Sequence, residues 1–362
     1  MKYIQTINHD LHGIKKLLLF TRNENFSSVA VHSLFRDSCL MLYEIIKVLE
    51  KEGILKETPS TFKYIESIRH KVKASQGKHN RNIFNSVLNT HFDLFGKDID
   101  NLGFYLDQNK LIGSTLYVTY VYDETPFFDS INSGEVIKEF SQEVGMNIAN
   151  VIDAIEQPLL LPSKSITMSN EEVYELKDVW HKRFLTNNIT MDVCIMRLLI
   201  IQNEISSCLW IEKHLDYKGK EISLDKYILL RLSLIKFYQT MESLLDLKRR
   251  APQQYSTLNL NNLNELLLSY KYDFKAEIKT LRNLLHYSDK GINFYEYLMH
   301  SIKKDNEYAD NLLQTILIDF FPIITDTISD SLNISNIVSM SDSEKIGRRV
   351  VTKVKQFSKL SK

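Results

Sequence analysis

Apolar residues recur at spacings of three and four along most of this chain, the period of a helix with one buried face. Between residues 27 and 52, Leu34, Phe35, Cys39, Leu42, Ile45 and Leu49 draw one such stripe, and Gly53 ends it. Further helices are expected at 11–20, from Pro59 to about Val72, and over 134–155, where Phe140, Val144, Ile148 and Val151 share a face. From residue 170 onward the pattern is helical almost throughout. Helices are expected there at about 170–186, 190–216, 224–248, 258–269, 273–288, 292–302, 306–328 and 343–360. The 224–248 segment is the clearest: Leu230, Leu234, Phe237, Met241 and Leu244 form its stripe, and Lys226, Arg231 and Glu242 are assigned to its polar side.

One region departs from this pattern. Phe104, Tyr105 and Leu106, a polar turn at 107–110, and the run from Ser114 to Tyr122 predict a β-hairpin over about 103–122. Farther on, Pro158 and Pro162 stand close together before a Ser/Thr run, the pattern of an interdomain linker. The expected fold is therefore mainly α: two up-and-down helical bundles, the first with a small β-hairpin insertion. The bundles fall at 1–163 and 164–340, followed by a C-terminal tail at 341–362.

Composition narrows the function classes. The chain has 362 residues, enough for two domains, with 44% hydrophobic and 25% charged residues. Forty-five basic and forty-five acidic residues cancel, so attraction to nucleic acid or membrane must come from local patches. Cys39, Cys194 and Cys208 lie in apolar helical runs without a CxxC or Cys/His pairing, which argues against a disulfide framework and a zinc site. The start of the chain lacks a secretory pattern, and no uninterrupted apolar run reaches about 18 residues. The expected location is cytoplasmic, with no cofactor and no metal. His9 and His12 stand near the start of a helix, where an exposed position is expected.

The sharpest chemical signal is Thr280–Gly291, which reads as the end of a helix closed by Gly291. Arg282 and His286 stand four residues apart, on one face, with Asn283 beside the arginine. A guanidinium can hold a phosphate and an imidazole can move a proton. The same pair at a helix end also serves as an ordinary solvated face, where a charged histidine stabilises the terminus by about 0.3–1 kcal/mol. That dipole favours the imidazolium, which suits a general acid or a phosphate ligand.

The first half carries a weaker copy of this plan, a long helix followed by a shorter one ending at Arg69 and His70. At these residues the chain resembles the HEPN family of nucleotide-binding helical domains. The resemblance implies small helical bundles, many of them metal-independent endoribonucleases of toxin–antitoxin, abortive-infection and antiviral defence systems. It assigns Arg282, Asn283 and His286 to the family's Arg–polar–His motif, although three residues intervene here where the family has about four to six. It also implies RNA as substrate, an antitoxin or defence partner, and a cleft formed where two bundles meet. The second half of that cleft would come from a homodimer or, within the chain, from Arg69 and His70. The rival expectation is a non-catalytic binding or adaptor protein for RNA, a nucleotide or a partner protein.

The tail adds a local patch. Arg348, Arg349, Lys353, Lys355 and Lys359 lie in a span without acidic residues, while Ile346, Val350, Val354 and Phe357 repeat at helical spacing. Such a basic amphipathic helix suits docking on the bundle, contact with RNA phosphates, or an anionic membrane surface.

Overall fold

A computed structural model describes residues 3–21, 30–55, 62–75, 87, 90–91, 101–122, 133–164, 174–186, 188–287, 292–341, 343–347, 350–351 and 354. The chain is mostly helical, with a small three-stranded antiparallel sheet. Its first helices are α1 (Ile4–Thr21), α2 (Ala30–Lys51) and α3 (Phe62–Ser75). Strands β1 (Asn101–Asp107) and β2 (Lys110–Ser114) follow, then α4 (Thr115–Tyr122) and α5 (Ser133–Ile155). Strand β3 (Glu175–Trp180) runs into a single turn, α6 (His181–Phe184).

Two long helices, α7 (Ile189–His214) and α8 (Leu224–Arg250), form the centre of the molecule. Both begin with a side-chain cap, Asn188 accepting from two amides and Ser223 from one. Helix α8 is buried around most of its circumference for its first turns. The expected stripe residues Leu230, Leu234, Phe237, Met241 and Leu244 are fully enclosed. So, however, are Lys226 and Arg231, against the expectation that they face solvent. The reason is local pairing: Lys226 meets Asp310 at 2.7 Å, and Arg231 meets Asp10 at 3.1 Å. A charge can be buried once it is matched and hydrogen-bonded.

Around this centre pack α1, against α2, α5 and α8, and α2, against α3 and α7. The chain then continues through α9 (Pro252–Thr257), α10 (Asn264–Ser269), α11 (Lys275–Leu285), α12 (Phe294–Lys304), α13 (Tyr308–Leu313) and α14 (Phe321–Ser331). The expected helix at 306–328 is interrupted by a π-helical stretch, Gln314–Phe320. It ends where Pro322, which has no amide hydrogen to donate, disturbs the regular ladder. By length and composition alone, Ile189–His214 and Tyr308–Ser331 could cross a membrane, but the first is largely buried inside this fold.

The hairpin needs correction. Ser114–Tyr122 does not continue as a strand; β2 stops at Ser114 and α4 occupies 115–122. Five of these eight residues are buried aromatic or aliphatic side chains, and burial on several sides removes the alternation that distinguishes a strand. The helix expected at 170–186 is instead β3 plus one turn, and β3 pairs antiparallel with β1 from Asn101↔Trp180 to Leu106↔Glu175. The strand order is β2-β1-β3.

The segment around Pro158 and Pro162 is held at several points. Asn8 donates to the carbonyls of Gln157 and Pro158, Lys16 to that of Lys164, and the Leu224 amide to that of Pro162. Leu161 is buried, and one continuous apolar core runs from Tyr3 to Ile334. The stretch at 77–86, His79, the acidic residues Asp123, Glu124 and Asp129, and the basic tail residues Arg348, Arg349, Lys353, Lys355 and Lys359 lie outside the described residues. In the tail, Ile346, Val350 and Val354 are exposed.

Candidate active site

Helix α11 buries Ile278, Leu281, Leu284 and Leu285 against α8 and turns Arg282 and Asn283 outward. It ends earlier than expected. Leu285 is its last residue, His286 is the C-cap, and the left-handed residue is Tyr287, at φ 50°. Gly291, expected in that role, lies outside the described residues. A left-handed non-glycine residue costs roughly 1–2 kcal/mol. Here the Tyr287 ring is buried and its hydroxyl donates to Asp10, which compensates that cost. Arg231 completes the anchor by donating to the Leu285 carbonyl at 3.1 Å, satisfying an acceptor that the helix end leaves open.

His286 faces α2 and α3. A cleft of about 170 Å³ is lined there by Arg282 and His286 from α11, Arg69 from α3, and Glu44 from α2. Gln239 and Lys236 from α8 line its inner wall. Glu44 Oε1 lies 3.6 Å from the Arg69 guanidinium and 3.9 Å from His286 Nδ1. Arg69 also sits 5.1 Å over the Tyr43 ring, itself stacked on Phe62. Arg282 lies 5.4 Å over the Tyr238 ring and donates to Asn283 Oδ1 at 3.3 Å. It has no carboxylate partner among the described residues, so its charge is available to an anion.

The imidazole state differs from the sequence expectation. Desolvation, followed by the charges of Arg282, Arg231 and Arg69, pushes the His286 pKa down to about 3. Three guanidiniums outweigh a helix terminus worth roughly half a charge. At neutral pH the ring is neutral but a weak base in the free protein, and an anion bound among the three guanidiniums would raise its proton affinity.

The structure brings Arg69 together with Arg282 and His286, and leaves His70 out. His70 is exposed and points toward Glu66 of its own helix, 3.6 Å away. Asn283 is exposed and touches the arginine rather than the cleft floor. Sequence reasoning missed Glu44, Tyr238, Asp10 and Tyr287. Glu44 follows the partly buried Tyr43 on α2, within a stripe that gives no local sign of pairing with residues 25 and 242 positions later. His9, expected to be exposed, is fully buried against Tyr295 and Tyr227.

A second charged group lies beneath this cleft. Lys236 contacts Asp37 at 2.7 Å and Glu204 at 2.5 Å, while Arg36 pairs with both carboxylates. Tyr117 donates to Glu204 at 2.8 Å. Two cations and two anions cancel, which permits their burial between α2, α7 and α8. Among the described residues no group of three or more His, Cys, Asp or Glu is placed to hold a metal ion. No protein-family model matches this chain, and neither does a curated protein or a solved structure.

Proposed function

We propose that this protein is a metal-independent endoribonuclease of the HEPN type, of a toxin or phage-defence kind, with two tandem helical bundles and a cytoplasmic site of action. The observation that carries the reading is the shared cleft: Arg69 from the first half lines the same space as Arg282 and His286 from the second. Arg282, free of carboxylates, would hold the scissile phosphate, and Arg69 would take a second oxygen. Neutral His286 would accept the proton of the ribose 2′-OH as that oxygen attacks phosphorus. The ring becomes an imidazolium beside the phosphate charge and returns the proton to the departing 5′-oxygen. Asn283 would orient Arg282. His70, pointing away, has no part in this scheme.

The test is cleavage of single-stranded RNA in EDTA, with any antitoxin or trigger supplied. His286→Ala and Arg282→Ala are expected to lose about 10²–10⁴-fold in rate. Cleavage by wild type no faster than by His286→Ala would end the proposal.

One observation favours a second reading. A carboxylate, Glu44, stands within 4 Å of both Arg69 and His286, the one imidazole among the described residues that line the cleft. That arrangement also suits an adaptor that binds RNA, a nucleotide or a partner protein without cutting. Salt-sensitive RNA binding that survives His286→Ala, in a wild-type protein that does not cleave, would select it.

A further inference from the structure

The cleft does not end at Arg282. On the other side of that side chain a larger cavity of about 360 Å³ opens between α7 and α8, and the two share Lys236, Gln239 and Arg282 as a common wall. Its far end is formed by Arg197 of α7 and by Asp246 and Arg250 of α8.

The electrostatics of that end are unbalanced. Asp246 is approached by three guanidiniums: Arg249 at 2.6 Å, Arg250 at 2.7 Å and Arg197 at 3.5 Å. Arg249 is exposed and outside the cavity lining; at the cavity wall Arg197 and Arg250 face the one carboxylate of Asp246, which leaves one positive charge there. Arg197 is mostly buried, with 12% of its side chain exposed, so its charge is held in place rather than spread into solvent. Arg250 is open to solvent at the rim. Between this group and Arg282 the wall presents Tyr238, Gln239 and Ser243, together with Glu242, whose carboxylate is paired with Lys275 at 2.7 Å.

Along α8, Lys236 and Arg250 are fourteen residues apart, about 21 Å at helical rise. The cavity is therefore elongated, with Arg282 near one end, Arg197 and Arg250 at the other, and aromatic and polar side chains between; Lys236 itself is neutralised by Asp37 and Glu204. We infer that it is a subsite for a single-stranded polynucleotide: Arg197 and Arg250 take a backbone phosphate beyond the one held at Arg282, and a base between them stacks on the Arg282 guanidinium plane, which itself covers the Tyr238 ring. Single strands are recognised by such stacking and by edge contacts from amide and hydroxyl groups. A duplex keeps its bases paired and stacked inside and offers no single base to this wall. The assignment rests on the ribonuclease reading for the identity of the polymer, and its test is made separable from that reading by using binding rather than cleavage.

The experiment is fluorescence anisotropy in EDTA on the His286→Ala protein, with labelled trinucleotide, 12-nucleotide single-stranded RNA and 12-base-pair duplex RNA, over a salt series. The expected result is that the 12-mer binds at least tenfold more tightly than the trinucleotide and the duplex. In Arg250→Ala that length advantage falls by about tenfold, and the salt slope for the 12-mer falls by about 1. Lys303→Ala/Lys304→Ala, an exposed pair on α12 away from both cavities, keeps the advantage. A length advantage unchanged in the arginine variant, tight binding of the duplex, or no binding of any RNA would overturn the subsite. Tight, arginine-dependent binding of the 12-mer with no cleavage by wild type would keep the subsite and remove only the catalytic reading.

Discussion

The Arg231 guanidinium of α8 lies 3.1 Å from the Asp10 carboxylate of α1, and neither side chain reaches solvent. Tyr227 donates to the same carboxylate at 2.8 Å, and Tyr287 donates to its other oxygen. Because Arg231 also caps the Leu285 carbonyl, this buried pair ties the first helix of the chain to the end of the helix that carries the candidate catalytic residues.

Removing one partner leaves an uncompensated buried charge. Arg231→Met is expected to lower the unfolding free energy by about 3–5 kcal/mol, measured by urea denaturation at pH 7. Asp10→Leu combined with Arg231→Met should recover much of that loss, because an apolar pair has no charge to desolvate. A single variant as stable as wild type would show that the pair does not hold the two helices.

His9 supplies a pH dependence. It is enclosed by Tyr227 and Tyr295, both ring nitrogens lack partners, and burial followed by the charge of His12 pushes its pKa down to about 4. The folded protein therefore disfavours the proton that the unfolded chain accepts below about pH 6.5. Stability is full above that value and is lost as pH falls from 6.5 toward 4. At pH 5 the loss from this residue is about 2 kcal/mol. His9→Phe keeps the ring and removes the proton site, so its stability should fall less between pH 7 and pH 5 than that of wild type. Equal slopes in the two proteins would refute the assignment.

For the proposed reaction, the imidazole must be neutral to take the 2′-OH proton. With the His286 pKa pushed down to about 3, activity is retained as pH falls from 7 to 5, and the acid limb of kcat/KM due to this group lies well below pH 5. An acid limb centred near 6.5 would mean that the ring is not desolvated among Arg69, Arg231 and Arg282 in the free protein.

Glu44 restrains the cleft. Its carboxylate faces Arg69 and His286, both within 4 Å, and in the proposed function would compete with an incoming phosphate for the guanidinium. Glu44→Gln should tighten single-stranded RNA binding about threefold at low salt, the size expected of a partly exposed ion pair, with the gain shrinking as salt rises. Weaker binding would instead make Glu44 a ligand-holding residue.

Much of the helical frame was legible before folding was considered. The stripes on α2, α5 and α8 are buried as their spacing predicts, and the expected bounds of α5, α7 and α8 agree to within about two residues with those observed. The segments misread were short and context-dependent. Thr115–Tyr122 is rich in β-branched and aromatic residues, yet it is a helix because the core surrounds it. Glu175–Trp180 is a strand because β1 offers it an edge. Neither neighbour is visible in a local window.

The sequence by itself determined that Arg282 and His286 share one end of a helix, because their spacing is a property of the backbone. It also marked Arg69 as the counterpart in the first half. Only the tertiary structure decided that Arg69 and Glu44 close the same cleft, that His70 points elsewhere, and that burial, followed by three guanidiniums, holds His286 neutral. Those outcomes depend on α2, α3 and α8 meeting α11 across up to about 240 residues of chain, and both desolvation and Coulomb forces act through that distance in space, not in sequence.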